Sequence, residues 1–64
     1  MRTLKQVFES VVKSYNNKER LNFMDIRDLD ELLSDRRLFD SFVKTYNSNE
    51  SINFIQLRDL ENTL

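Results

Sequence analysis

The chain has 64 residues, of which 39% are hydrophobic and 33% charged, and its formal net charge is −1 at pH 7. This length allows a single domain over 1–64, and the apolar fraction is that of a folded chain rather than a disordered one. Because Cys and His are absent, disulfides, thiolate or imidazole catalysis and the usual zinc and copper ligands are excluded. We therefore expect no cofactor, no metal and no enzymatic activity.

The charge balance also limits the classes of partner. Ten Lys and Arg stand against eleven Asp and Glu, so no net field favours nucleic acid or an anionic membrane. No stretch approaches the roughly 20 apolar residues of a membrane span, and the opening MRTLKQVF lacks the apolar run of a signal peptide. These features predict a cytoplasmic protein. The absence of Gly, Pro and Ala beside seven Asn is typical of a phage, plasmid or low-GC bacterium.

The first predicted unit is a pair of helices joined by a polar loop. Apolar residues recur at helical spacing over 4–15, and Thr3 with Gln6 forms a capping-box pattern ahead of them. The polar run 16–20 suits a loop, in which Asn is the best available residue for the left-handed position that ends a helix. A second helix is predicted to begin at Asn22. Its inward residues are predicted to be Phe23, Ile26, Leu29, Leu32 and Leu33.

The second half of the chain repeats the first. Residues 39–64 match residues 8–33 at 13 of 26 positions with a constant offset of 31. Such self-similarity indicates a duplicated unit whose apolar face is covered by its twin. Ser34 or Asp35 can cap the third helix, and Asn53 with Gln56 opens the fourth. The predicted inward residues of the fourth helix are Phe54, Leu57, Leu60 and Leu64. The sequence therefore predicts an all-α fold of four short helices, formed by internal duplication of a helix-loop-helix hairpin.

The end of each loop and the start of the following helix resemble the exit side of an EF-hand. The segments are LNFMDI at 21–26 and INFIQL at 52–57. This resemblance implies that Leu21 and Ile52 pair in a short β-bridge and that an aromatic residue opens the following helix. Up-and-down and orthogonal bundles remain alternative arrangements of the four helices.

The same resemblance implies where calcium ligands would lie. The first, third and fifth ligand places fall on Ser14, Asn16, Lys18 and on Thr45, Asn47, Asn49, none of which is a carboxylate. The bend that needs Gly holds Glu19 and Glu50, and the last place, normally a bidentate Glu, holds Asp25 and Gln56. We therefore predict an EF-hand-like pair that binds no calcium.

Two repeated dipeptides are candidate protein-binding residues. Arg27-Asp28 and Arg58-Asp59 lie beside the apolar stripe of the second helix in each repeat. They fit either ion pairs within the fold or two equivalent patches that dock a partner.

Met24 and Ile55 are further candidate contacts, because they adjoin predicted inward Phe residues yet point elsewhere. An acidic row along the second helix and the turn after it is predicted to be a solvated face that complements the helix dipole. A surface for a basic protein and a nucleic-acid mimic are the alternatives. Its members are Asp25, Asp28, Asp30, Glu31 and Asp35. Asp28 with Glu31 is the only plausible carboxylate pair for catalysis, and its predicted exposure argues against that role.

By elimination, the sequence predicts a small non-catalytic protein-binding module that regulates or inhibits a larger protein. Its partner would be another protein or a second copy of itself as a homodimer. One alternative is a nucleic-acid-associated accessory factor using a basic group near one end, and another is a purely structural homodimer. The basic group comprises Arg2, Lys5, Arg36, Arg37 and Lys44.

Overall fold

Four α-helices form the secondary structure of residues 2–64, the part of the chain that the computed structural model describes. The helices are α1 (Leu4–Asn16), α2 (Phe23–Leu32), α3 (Arg36–Asn47) and α4 (Phe54–Glu61). Residues 2–64 contain no β-strand, so the all-α prediction with four helices is confirmed. None of these four helices is both long and apolar enough to cross a membrane.

Each helix begins at a side chain that accepts a hydrogen bond from an otherwise free backbone N–H of the first turn. The capping box predicted for Thr3 with Gln6 is present, and Asn53 with Gln56, predicted to open the fourth helix, also forms one. In both, the Gln amide oxygen accepts a hydrogen bond from the backbone N–H of the cap residue. Of Ser34 and Asp35, the two residues predicted as possible caps of the third helix, Asp35 is the cap. The four caps are Thr3, Asn22, Asp35 and Asn53.

The turns that end α1 and α3 have the same backbone geometry. In the first, Lys18 lies in the left-handed region at φ 56°, and the N–H of Glu19 donates to the carbonyl of Ser14 at 2.9 Å. In the second, Asn49 has φ 57° and the equivalent bond is 3.1 Å. These are Schellman turns. The expected Asn occupies the left-handed position only in the second half, and the first half places a lysine there.

An isolated antiparallel β-bridge joins the two loops between Arg20 and Ser51. The bridge that the EF-hand resemblance implies, between Leu21 and Ile52, therefore lies one residue earlier. Both of those side chains are buried in the core, at 1% and 5% exposure. The Arg20 guanidinium also stacks over the Tyr46 ring at 4.9 Å and donates to the Tyr46 carbonyl.

Packing brings the first helix of each hairpin against the second helix of the other. α1 contacts α2 and α4, and α3 contacts α2 and α4. Phe42 at the centre of α3 is the largest fully buried side chain. The buried apolar residues are Val7, Val11, Leu21, Ile26, Leu29, Leu33, Leu38, Phe42, Ile52 and Leu60.

Three predicted inward residues are exposed instead. Phe23, Phe54 and Leu64 expose 61%, 62% and 56% of their surface. At 3.6 residues per turn, Phe23 lies about 40° around α2 from exposed Arg27 but about 120° from buried Leu29. The same angles place Phe54 on the outer side of α4. Leu64 lies beyond the end of α4 at Glu61 and makes no part of its inward face.

Candidate functional site

Two apolar pairs are exposed at equivalent places, the first turns of α2 and α4. Met24 is 50% and Ile55 58% exposed, so both point away from the core, as their sequence positions predict. Each lies next to one of the exposed phenylalanines, Phe23 or Phe54. Because Asn22 and Asn53 fix where these helices begin, the first two helical residues face outward and the third, a polar residue, faces inward.

An arginine completes each exposed pair. Arg27 follows Met24 by three residues and Phe23 by four, which places all three on one side of α2. Arg58 is related in the same way to the second pair. We name Phe23, Met24 and Arg27 the first patch, and Phe54, Ile55 and Arg58 the second patch. Both arginines are half-exposed and lie 3.7 and 3.5 Å from the aspartate that follows them.

Asp28 and Asp59 have different surroundings, although each follows the arginine of a patch. The Asp28 side chain is only 4% exposed, whereas that of Asp59 is 44% exposed. The expectation that Asp28 lies on an exposed surface is therefore wrong. Asp28 is held inside by Arg2, whose Nε donates to its Oδ2 at 2.9 Å. The patches consequently match in their apolar and arginine members and differ at the aspartate.

Arg2 joins two buried carboxylates to the segment that precedes α1. Its Nη2 donates to Asp25 Oδ1 at 2.8 Å, while its Nε binds Asp28. The hydroxyl of Ser10 donates to the other oxygen of Asp25 at 3.1 Å. The pKa of Arg2 is raised above its ordinary value, chiefly by the hydrogen bond to Asp25, although burial of the guanidinium lowers it in part. Arg2 is therefore a permanent cation between two carboxylates.

Gln56 takes the place of Asp25 in the second half, and its cluster carries no charge. Its Nε2 donates to the hydroxyl of Ser41 at 2.8 Å and to that of Thr45 at 2.9 Å. The same nitrogen lies 3.2 Å from the Ser41 carbonyl, and Oε1 accepts the Asn53 N–H at 3.0 Å. Both the oxygen and the nitrogen of its side-chain amide are therefore hydrogen-bonded.

The acidic row is split by these contacts rather than solvated throughout. Asp25 and Asp28 are buried, while Asp30, Glu31 and Asp35 are exposed. A signal for the burial of Asp25 was present in the sequence, because Asp25 precedes Leu29 by four residues and therefore lies on the same side of α2. Nothing in the sequence indicated that Arg2 and Ser10 would be the hydrogen-bonding partners of these buried aspartates.

The carboxylate pair considered for catalysis is divided between the interior and the surface. Asp28 is buried in its ion pair with Arg2, so its predicted exposure is wrong, whereas Glu31 is exposed as expected. Within residues 2–64, no three Asp, Glu, His or Cys side chains form a group suited to a metal ion.

An open apolar groove of about 330 Å³ adjoins the second patch, between α1 and α4. Its walls include Phe54 and Arg58 of that patch. The other lining residues are Phe8, Val12, Leu57 and Glu61.

The described surface therefore offers two equivalent patches, one of them beside an apolar groove. Comparison of the chain with protein-family models, with curated proteins and with solved structures finds no match.

Proposed function

We propose that this chain is a small non-catalytic protein-binding module, built by internal duplication of a helix-loop-helix hairpin, that regulates or inhibits a larger protein. The observation that carries the proposal is the pair of patches. Each presents an aromatic ring, an aliphatic side chain and an arginine at equivalent positions of α2 and α4. The mechanism is occupancy, in which the patches cover a surface that the partner needs.

The chemistry of the patches supports protein binding. Aromatic residues, Met and Arg are enriched in protein interfaces, and aromatic and arginine side chains dominate their binding energy. Phe23 and Phe54 expose large rings to water, whereas the fold buries the ring of Phe42 completely. Covering those rings on association removes apolar surface from water and so favours binding.

The ion pairs argue against the nucleic-acid alternative. Of the basic group considered for phosphate binding, Arg2 is bonded to Asp25 and Asp28, and Arg36 lies 2.6 Å from Asp30. Neighbouring carboxylates oppose phosphate contact at those two positions. The remaining members do not produce a net positive charge on the chain.

The test is capture of a stoichiometric protein by tagged chain from a lysate of its own cells, with and without nuclease. Met24→Glu combined with Ile55→Glu places a charge in each patch and should reduce capture at least about tenfold while leaving helicity unchanged. Asn16→Glu combined with Asn47→Glu is the matched control. It adds the same charge at exposed, equivalent positions outside the patches and should capture normally.

Each other outcome overturns a stated part of the proposal. Equal capture by the patch variant and the control would remove the patches as the contact surface. Capture that disappears with nuclease would indicate a nucleic-acid function. Retention of copies of the same chain alone would indicate a structural homodimer instead of a regulator.

A further inference from the structure

The apolar groove between α1 and α4 has a filled counterpart between α2 and α3. At the offset of 31, Phe8 in the groove corresponds to Phe39. Glu61, also in the groove, has Asp30 as its counterpart. The structure therefore presents two equivalent sites with the same kinds of aromatic and acidic residue.

In the filled site, an arginine of the chain itself covers the aromatic ring. The guanidinium of Arg36 lies 4.4 Å from the Phe39 centroid, and its Nη2 is 2.6 Å from Asp30 Oδ1. A second nitrogen donates to the Asp30 carbonyl at 3.0 Å. Stacking on the ring and pairing with the acid thus act together on one planar cation.

In the open site, Lys5 stands at the position equivalent to Arg36. Within residues 2–64, Lys5 forms neither an ion pair nor a stacking contact with a ring. An ammonium is compact and strongly hydrated, whereas a guanidinium is planar, less hydrated and suited to lie on a ring while it pairs with a carboxylate. Phe8 and Glu61 therefore line the groove without the cation that their counterparts hold.

We propose that this groove binds an arginine side chain of the partner protein. The guanidinium stacks on Phe8 and pairs with Glu61, and the aliphatic stem packs against Val12 and Leu57. Arg58 also lines the groove, but its Nη2 lies 3.5 Å from Asp59, which partly offsets its charge. The inference rests on the proposed function, because it names the chemistry of the protein that the second patch contacts.

The first test supplies the missing cation from within the chain. Lys5→Arg should reproduce the Arg36 contact, raise the Tm by about 2–5 °C and shift its side-chain protons by the ring current of Phe8. Adding Glu61→Gln should remove most of the gain in Tm. An unchanged Tm without ring-current shifts would overturn the inference, because the groove would then not accept a guanidinium.

The second test uses a free ligand. Acetyl-Leu-Arg-Leu-amide should shift the ¹⁵N–¹H signals of Phe8, Val12 and Leu57, and the same peptide with citrulline for arginine should not. Lys5→Arg and Glu61→Gln should each weaken this binding at least about fivefold. The matched control Asp30→Asn, at the equivalent place in the filled site, should leave it unchanged. Equal binding of both peptides, or unchanged binding by Lys5→Arg, would overturn the inference.

Capture of the protein partner separates this inference from the function on which it rests. If Lys5→Arg captures the partner normally while Met24→Glu with Ile55→Glu does not, the arginine site is wrong and the binding module stands. If the patch variant also captures normally, the proposed function fails whatever the peptide shows.

Discussion

The same interior position holds a charged cluster in the first half of the molecule and a neutral one in the second. Asp25 is fully buried and is bound by Arg2 and by the hydroxyl of Ser10. Gln56, its counterpart, is bound only by uncharged groups of Ser41, Thr45 and Asn53. The surrounding frame is alike, since each residue is the third of a helix capped by Asn.

The difference shows that one backbone frame can hold either a carboxylate or an amide, provided that every polar atom finds a partner. A buried amide needs donors and acceptors, which hydroxyls and backbone supply. A buried carboxylate also needs a cation, and here Arg2 supplies it from the segment before α1. The first half therefore depends on a residue outside its repeat, and the second half does not.

The largest expected effect comes from removing that cation. Arg2→Gln leaves Asp25 and Asp28 buried without a counter-charge and should lower the free energy of unfolding by about 2–3 kcal/mol. We place the value below that of a fully buried pair, because the Arg2 side chain is 34% exposed and water reaches it. Urea unfolding followed by circular dichroism measures the loss.

Arg37→Gln is the control for this substitution, because Arg37 is exposed and belongs to no ion pair in the part of the chain that the structure describes. It should change stability by no more than about 0.5 kcal/mol. The raised pKa of Arg2 means that its contribution is complete below the ordinary pKa of arginine and is lost only in strongly alkaline solution. Titration of Arg2 therefore adds no pH dependence between about pH 6 and 9. Equal losses in the two variants would contradict the role of the ion pair.

A smaller effect is expected when the neutral cluster receives a charge without a cation. Gln56→Glu keeps the acceptor for the Asn53 N–H but turns a second carboxylate oxygen toward the Ser41 carbonyl. The substitution should lower the free energy of unfolding by about 1–2 kcal/mol at pH 7. The loss should shrink in acid, because a protonated carboxyl can donate a hydrogen bond to that carbonyl.

Gln6→Glu provides the matched control for this charge. Gln6 is also the third residue of a helix and also completes a capping box, but it is exposed. A carboxylate near a helix N-terminus is favoured by the helix dipole, so the free energy of unfolding of Gln6→Glu should be unchanged or slightly higher. If Gln56→Glu lowers the free energy of unfolding no more than Gln6→Glu does, or by an amount independent of pH, then burial is not the reason that an amide occupies position 56.

Local features of this fold were predictable from the sequence, and long-range ones were not. The capping boxes of Thr3 and Asn53 join residues three apart, so their patterns are visible in the chain itself. Arg2 meets its carboxylates across 23 and 26 residues, a contact that only the packed helices create. The inward assignment of Phe23 failed for a different reason, because at 3.6 residues per turn Phe23 lies about 120° around α2 from buried Leu29 and so off the inward face.

The candidate site likewise has features that the sequence predicts and features that only the packed fold reveals. Exposure of Met24 and Ile55 follows from helical spacing beside a capped first turn, and the sequence was sufficient to find it. The unequal burial of Asp28 and Asp59 was not predictable from their identical Arg-Asp dipeptides. It depends on Arg2, for which the second half has no counterpart, since the position 31 residues later is buried Leu33.

The smallest expected effect separates the two helix-ending turns. Both left-handed positions have nearly the same φ, 56° at Lys18 and 57° at Asn49, but Asn is better tolerated there than Lys. Lys18→Asn should therefore raise the free energy of unfolding by about 0.5 kcal/mol, and Asn49→Lys should lower it by a similar amount. Combining the two restores the net charge and should bring stability back to that of the original chain. If Lys18→Asn instead lowers the free energy of unfolding and Asn49→Lys raises it, charge rather than backbone geometry governs these turns. If both exchanges change it in the same direction, the two turns are not energetically equivalent.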